Sequence, residues 1–194
     1  INWTIIGVIM KNQLKLNDNI NGNLTMKSNP QDELVPHGHI VVECVRNGKV
    51  IWTEKGPNLI VTTGRNKLLD ETLAGSSYTA AWYMGLIDNN AFSAIAAANT
   101  MASHSGWTET DKYDEATRQA LSFAAASAGT KATSADCSFT INDTVTINGI
   151  FVASANTKGE SASTLFAAKS FTSPRACVDD DVLNVSYSVS LSAS

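Results

Sequence analysis

The sequence predicts a mainly β fold, an antiparallel β-sandwich of jelly-roll-like type with one main α-helix at about residues 63–74 and an extended N-terminal arm. Three observations predict it. Val185, Tyr187, Val189 and Leu191 alternate strictly with Ser186, Ser188, Ser190 and Ser192, the pattern of a strand with one buried and one solvated face. Arg46-Asn47-Gly48-Lys49 places Asn-Gly between two apolar runs, the strongest short-range hairpin signal. One helical segment only stands out, Thr62-Thr63-Gly64 leading into Leu68, Leu69 and Leu73, with 69 and 73 stacked on one face. A lone helix in a β-patterned chain is expected to be the feature around which the rest packs.

Taken in order, residues 1–37 form the expected arm and residues 38–194 the sandwich. The apolar run Ile5 to Met10 is too short to span a bilayer, and no basic region or A-x-A site marks it as a signal peptide. Met10-Lys11-Asn12 reads as a natural translation start, so residues 1–9 are expected to be an extension, a processing remnant or an arm held by a neighbour. Residues 11–37 are rich in Asn, Asp, Lys and Ser, with the alternating pairs Leu14/Leu16 and Leu24/Met26. Two readings stand: a flexible tail, or an arm ordering on a neighbouring subunit through backbone hydrogen bonds and apolar anchors.

The body is expected to open with strands at Ile40–Val45 and Val50–Thr53. Gly56-Pro57 reads as a turn, Leu59–Val61 as a short strand, and Gly75 as the helix C-cap. Ala80 to Ile87 is the next strand, holding Trp82 and Tyr83. Residues 88–112 read as a surface excursion, its small apolar stretch Ala91 to Met101 being either helix or packed loop. Residues 114–118 are expected to make one helical turn before a strand at Ala120–Ala125. Cys137 to Ala153 reads as two alternating stretches separated by an Asn142-Asp143 turn, with Gly149 marking a bulge or close approach. Ser163 to Phe171 is a strand ended by Thr172-Ser173-Pro174.

Composition narrows function. Formal net charge is −4, charged residues are only 16%, and the 14 Lys and Arg are scattered, so no basic footprint for nucleic acid appears. Cys44, Cys137 and Cys177 are odd in number and lack C-x-x-C spacing, which argues against a disulfide framework or zinc site and for small buried hydrophobes. His37 and His39 point the same way on an extended chain but have no third ligand nearby. Ser103-His104-Ser105 has no G-x-S-x-G elbow around it. Asp114/Glu115 and Asp179-Asp180-Asp181 are neighbouring acids of the kind that serve a glycosidase or a calcium ion, but on turns they read as solvated, with calcium as the residual alternative for the run before the last strand. There is no phosphate loop, dinucleotide fingerprint or EF-hand. No catalytic residue, cofactor or metal is expected, and the chain reads as not an enzyme. Trp52 and Trp82, in strands, are expected in the core, whereas Trp107 is expected to be exposed in a loop, open to a partner or a sugar ring.

Two segments, NLIVTTGRNKLLDETLAG with YMGLI, and TMASHSGWTETDKYDEATRQALSF, together resemble a pattern found in structural proteins of tailed bacteriophages. There an N-L-V-V-x-x-G helix segment precedes a Y-x-G-L strand ending, and an S-H-x-G-W-x-E and Y-x-x-x-x-R loop leads into the closing strands. The resemblance covers roughly residues 57 to 171 and carries no catalytic residue. Such proteins include head decoration (cement) proteins, head fibres and tail accessory proteins. The resemblance does not choose among them; the N-terminal arm and the Ser/Thr/Ala-rich β body point to a capsid decoration protein on the virion head surface, made in the host bacterial cytoplasm. Its partners would be the major capsid protein and itself, as a dimer or trimer, with no nucleic acid and no membrane. The expected contacts are Leu14, Leu16, Leu24 and Met26 of the arm, and Phe92, Trp107 and Tyr113 of the excursion. The alternative is a tail or head-fibre accessory protein or adhesin that binds a host surface glycan.

Overall fold

A computed structural model describes residues 34–74 and 78–193. The expectations for Leu14, Leu16, Leu24 and Met26, for residues 1–9 and for Gly75 lie outside these residues. The described chain is mainly β, with 54% in strands and one short helix, and its antiparallel sheet curls on itself into a sandwich-like fold.

β1 (Leu34–Arg46) and β2 (Lys49–Ile60) form the expected hairpin, with Asn47 and Gly48 at φ 50° and 72° in the tight turn that Asn-Gly favours. β1 begins at Leu34, so residues 34–37 belong to the body rather than to the arm. Gly38, Ile40, Val42 and Cys44 face inward along β1, while His37 and His39 lie on its exposed side. Gly56-Pro57 is not a turn but the interior of β2, opposite Ile40 and His39. Only β1 pairs with β2 there, so β2 is an edge at Pro57, the position in a sheet where proline is tolerated. Gly56, at φ 143°, turns the strand so that Leu59 and Ile60 pair with Ala168 and Ala167 of β9 (Leu165–Cys177). β2 thereby joins the two halves of the sheet.

Where β2 and β9 diverge, a side chain replaces the ladder. Buried Glu54 accepts from the Thr172 amide (2.9 Å) and hydroxyl (2.8 Å) and from Arg175 Nη2 (3.0 Å). β9 also continues through Pro174, where a strand end was expected. Pro174 falls in the unpaired stretch between Ser170, opposite Gly149, and Arg175, opposite Ile147.

The helix α1 (Thr62–Leu69) runs on into a π-helical turn, Asp70–Ala74. It is not the organising core. Leu69 and Leu73 are 57% and 78% exposed, and Gly64 is its one buried residue. α1 lies against β9 through that glycine, where a Cβ would come within 2.1 Å of the Phe166 carbonyl oxygen. So close a seat turns Leu68 toward the core and leaves Leu69, about 100° further round, in water.

β3 (Tyr83–Asp88) is flanked on one side by β4 (Thr108–Thr110) and β5 (Gln119–Ala120), and on the other by β8 (Val145–Ala153), which pairs with β9. Opposite them, β1 pairs with β10 (Val182–Ala193), whose far edge takes β6 (Thr130–Ala132) and β7 (Cys137–Thr140). The expected strands at Ala80–Ile87 and Ala120–Ala125 are thus shorter, and residues 114–118 are bends rather than a helical turn. β10 keeps its alternation through Leu183, Val185 and Tyr187, which face inward, but the expected buried face ends there: Val189 is half-buried and Leu191 is exposed.

The main core lies between the two halves and includes Ile40, Val42, Phe139, Ile147, Ile150 and Val185. A second core covers the outer face of β3, β8 and β9, with Ile87, Met101, Trp107, Phe151 and Leu165. The 88–107 excursion supplies its lid, a packed loop rather than a helix. β8 is therefore buried on both faces, Ile150 and Val152 facing one core and Phe151 and Ala153 the other. Gly149 is the expected close approach, since a Cβ there would sit 2.2 Å from the Lys169 carbonyl oxygen, at a register shift.

A candidate binding cleft

The loop motifs singled out by sequence turn inward. Trp107 is 1% exposed, stacked on His104 at 3.9 Å, with its Nε1 donating to Asn99 Oδ1 at 3.1 Å. The backbone amide of Trp107 bonds the His104 carbonyl, and the 93–94 backbone hangs from the Gly106 carbonyl. His104 is thus held by its tryptophan neighbour, its Nδ1 2.9 Å from the Trp107 carbonyl. Tyr113, also 1% exposed, packs edge-on against Phe139 at 5.0 Å. The expectation of an exposed Trp107, and of Tyr113 as a surface contact, is therefore corrected: both rings are consumed by the protein's own cores. Phe92 is half-buried against the second core.

The spaced charges of the same block form one buried pair. Arg118 Nε and Nη2 donate to Glu109 Oε1 (2.9 Å) and Oε2 (2.8 Å), while Nη1 and Nη2 also donate to the Ala155 and Glu160 carbonyls. Glu109 in turn accepts from the Gly159 amide. The pair ties three loops together and is structural. Sequence reading missed it, although two opposite charges nine residues apart in a charge-poor chain were the available signal.

The acidic run before β10 also departs from expectation. Asp179 and Asp180 are exposed, but Asp181 is fully buried and accepts from Arg46 Nε (2.6 Å) and Nη2 (2.7 Å). The Arg46 hydrogen bond holds the Asp181 carboxyl below the usual carboxylate range, against the opposing cost of burial. Cys44 and Cys177 meet beside it.

Elsewhere on the described surface, a cleft of about 580 Å³ with room for a ligand lies between α1 and the end of β10. Sequence reasoning did not find it, because its walls come from distant segments. Trp82 and Phe166 (ring centroids 5.0 Å apart) and Val152 belong to its floor. Phe123 and Tyr187, 6.3 Å apart, make one wall together with Val189 and Leu191. Leu68 comes from α1, and Tyr78, 79% exposed, stands at the rim. Trp82 is half-buried, so the expected core tryptophan also shows a face to the cleft.

Polar groups are confined to the margins. Lys67 lies 3.2 Å from Glu71, whose Oε1 also accepts from the Thr79 amide at 2.7 Å. Burial opposes the Glu71 charge, but the Thr79 and Lys67 hydrogen bonds outweigh it and keep the carboxyl below its usual range. Lys131 Nζ donates to the Ala124 carbonyl at 3.0 Å and lies over the Phe123 ring. Glu71 is thus held ionised at the margin of the cleft. An apolar floor with aromatic faces and a polar rim is chemistry for taking in apolar side chains or the apolar face of a ring.

Compared with known proteins, the chain matches no protein-family model and no curated protein.

Proposed function

We propose that the protein is a non-enzymatic structural component of a phage virion, a decoration protein that binds the outside of the head and stabilises contacts between major capsid subunits. The observation that carries the reading is the aromatic-lined cleft, an apolar receptor on a body whose other conspicuous aromatic and charged residues are spent on folding. The resemblance of residues 57 to 171 to virion structural proteins, and the acidic, charge-poor composition, support it further. In this reading the cleft takes apolar side chains of a capsid subunit, while Leu14, Leu16, Leu24 and Met26 reach a neighbouring one. Self-association as a dimer or trimer multiplies these contacts, so modest single affinities add into lasting attachment.

Binding of the purified protein to heads that lack it tests this. Tyr78→Asp and Leu191→Glu place charges on exposed cleft positions where folding does not depend on them. Each is expected to weaken binding about tenfold, equivalent to about 1.4 kcal/mol. Full occupancy by the double variant would refute the role of the cleft.

The second reading is a fibre accessory protein or adhesin for a host glycan. Trp107 no longer serves it, but Tyr78 and Trp82 at the same cleft do, since aromatic faces stack on sugar rings. It predicts saturable glycan binding lost in Tyr78→Ala with head attachment unchanged.

A further inference from the structure

Cys44 enters the core from β1 and Cys177 from the end of β9, which belong to opposite halves of the sandwich. Both are fully buried, and their sulfur atoms and an Asp181 oxygen all lie within 4.8 Å of one another. Cys44 thus faces both the Cys177 thiol and the Asp181 carboxylate, and Cys177 Sγ donates to the Arg175 carbonyl at 3.9 Å. The third cysteine is elsewhere: Cys137, on β7, has its sulfur 3.9 Å from Met84 Sδ. An odd count that argued against disulfides therefore conceals one close pair and one separate thiol.

We propose that Cys44 and Cys177 are an oxidative modification site, closing into a disulfide that staples the two halves of the sandwich when the protein meets a low-molecular-weight disulfide oxidant. One protein thiol loses its proton and attacks a sulfur of the oxidant, giving a mixed disulfide and releasing one small thiolate. The second protein thiol then attacks the mixed disulfide, forms the Cys44–Cys177 bond and releases the second small thiolate. Two protein thiols are oxidised, one small disulfide is reduced to two thiols, and the two protons pass to those thiolates.

The contact favours this product over a metal. Asp181 is already committed to Arg46 and to the Val178 amide, 2.9 Å from Oδ2, so a cation would have to break that pair to gain a third ligand. Burial and mutual hydrogen bonding keep Cys44 a neutral thiol while reduced, so the pair is stable as a dithiol until an opening admits the oxidant. The bond would enclose most of the chain in one loop, the case in which a cross-link most restricts the unfolded state.

The test incubates the full-length reduced protein with oxidised glutathione, in urea just below its unfolding transition so that openings are frequent. The sample is then quenched, unfolded, alkylated and mapped by mass. The expected result is one alkylated thiol, Cys137, a linked peptide joining Cys44 to Cys177, and a urea midpoint that rises on oxidation and falls back on reduction. Cys137→Ala should behave as wild type, and Cys177→Ser should lose the rise. Three alkylated thiols after prolonged incubation, or a link through Cys137, would overturn the proposal. Reduced protein that holds a stoichiometric metal, released together with two newly reactive thiols by a chelator, would overturn it in favour of a metal site.

Discussion

Asp181 and Arg118 show how a charge-poor chain uses the few charges it buries. Asp181, depressed by Arg46, binds fewer protons folded than unfolded across the acid range. Its contribution is therefore fully present above the ordinary aspartate range and is lost as pH falls through its lowered folded value. Urea midpoints measured from neutral to acid pH should fall in that window, and Asp181→Asn should be less stable at neutral pH with a flatter acid limb. Arg118→Ala leaves Glu109 buried without its partner and should cost about 3–5 kcal/mol in equilibrium unfolding. Trp107→Ala empties the centre of the second core and should cost a similar amount, about 3–5 kcal/mol. A Trp107→Ala protein as stable as wild type would contradict the burial described.

At the scale of elements, glycines decide where strands and helix approach. Gly64→Ala should push α1 away from β9, costing about 1–3 kcal/mol and loosening the cleft wall that Leu68 supplies. Leu69→Glu and Leu73→Glu, on the exposed face of the same segment, should each change stability by no more than about 0.5 kcal/mol. Equal losses from both sets would mean the helix is packed as its sequence first implied. That contrast marks where legibility ends. The β1–β2 turn and the β10 alternation are local patterns and were readable from residues 46–49 and 185–192. Gly56-Pro57 and Pro174 misled because a proline stops a strand only where the partner needs its N–H, and pairing is set by segments far away in sequence. Trp107 and Tyr113 misled for the same reason: a loop that caps the outer face of β8 is a core element, and nothing local distinguishes it from a solvated one. The cleft was invisible because Trp82, Phe123, Phe166 and Tyr187 converge only once the sheet has curled.

At the scale of the whole described body, residues 34–74 and 78–193 form a curled antiparallel sheet with two cores, one between its halves and one beneath the long excursion. In the proposed reading, recognition falls to the cleft and to the segment before β1. Truncation to begin at residue 34 keeps all of β1 and should leave the body with a cooperative urea transition, while removing attachment to heads. Capsid attachment is the central claim, and the most direct measurement is imaging of intact particles to find the position and copy number of this protein. A decoration role requires hundreds of copies on the icosahedral shell with the cleft turned toward the capsid. A dozen or fewer copies at the portal or tail would contradict it and transfer the cleft to the glycan-binding reading.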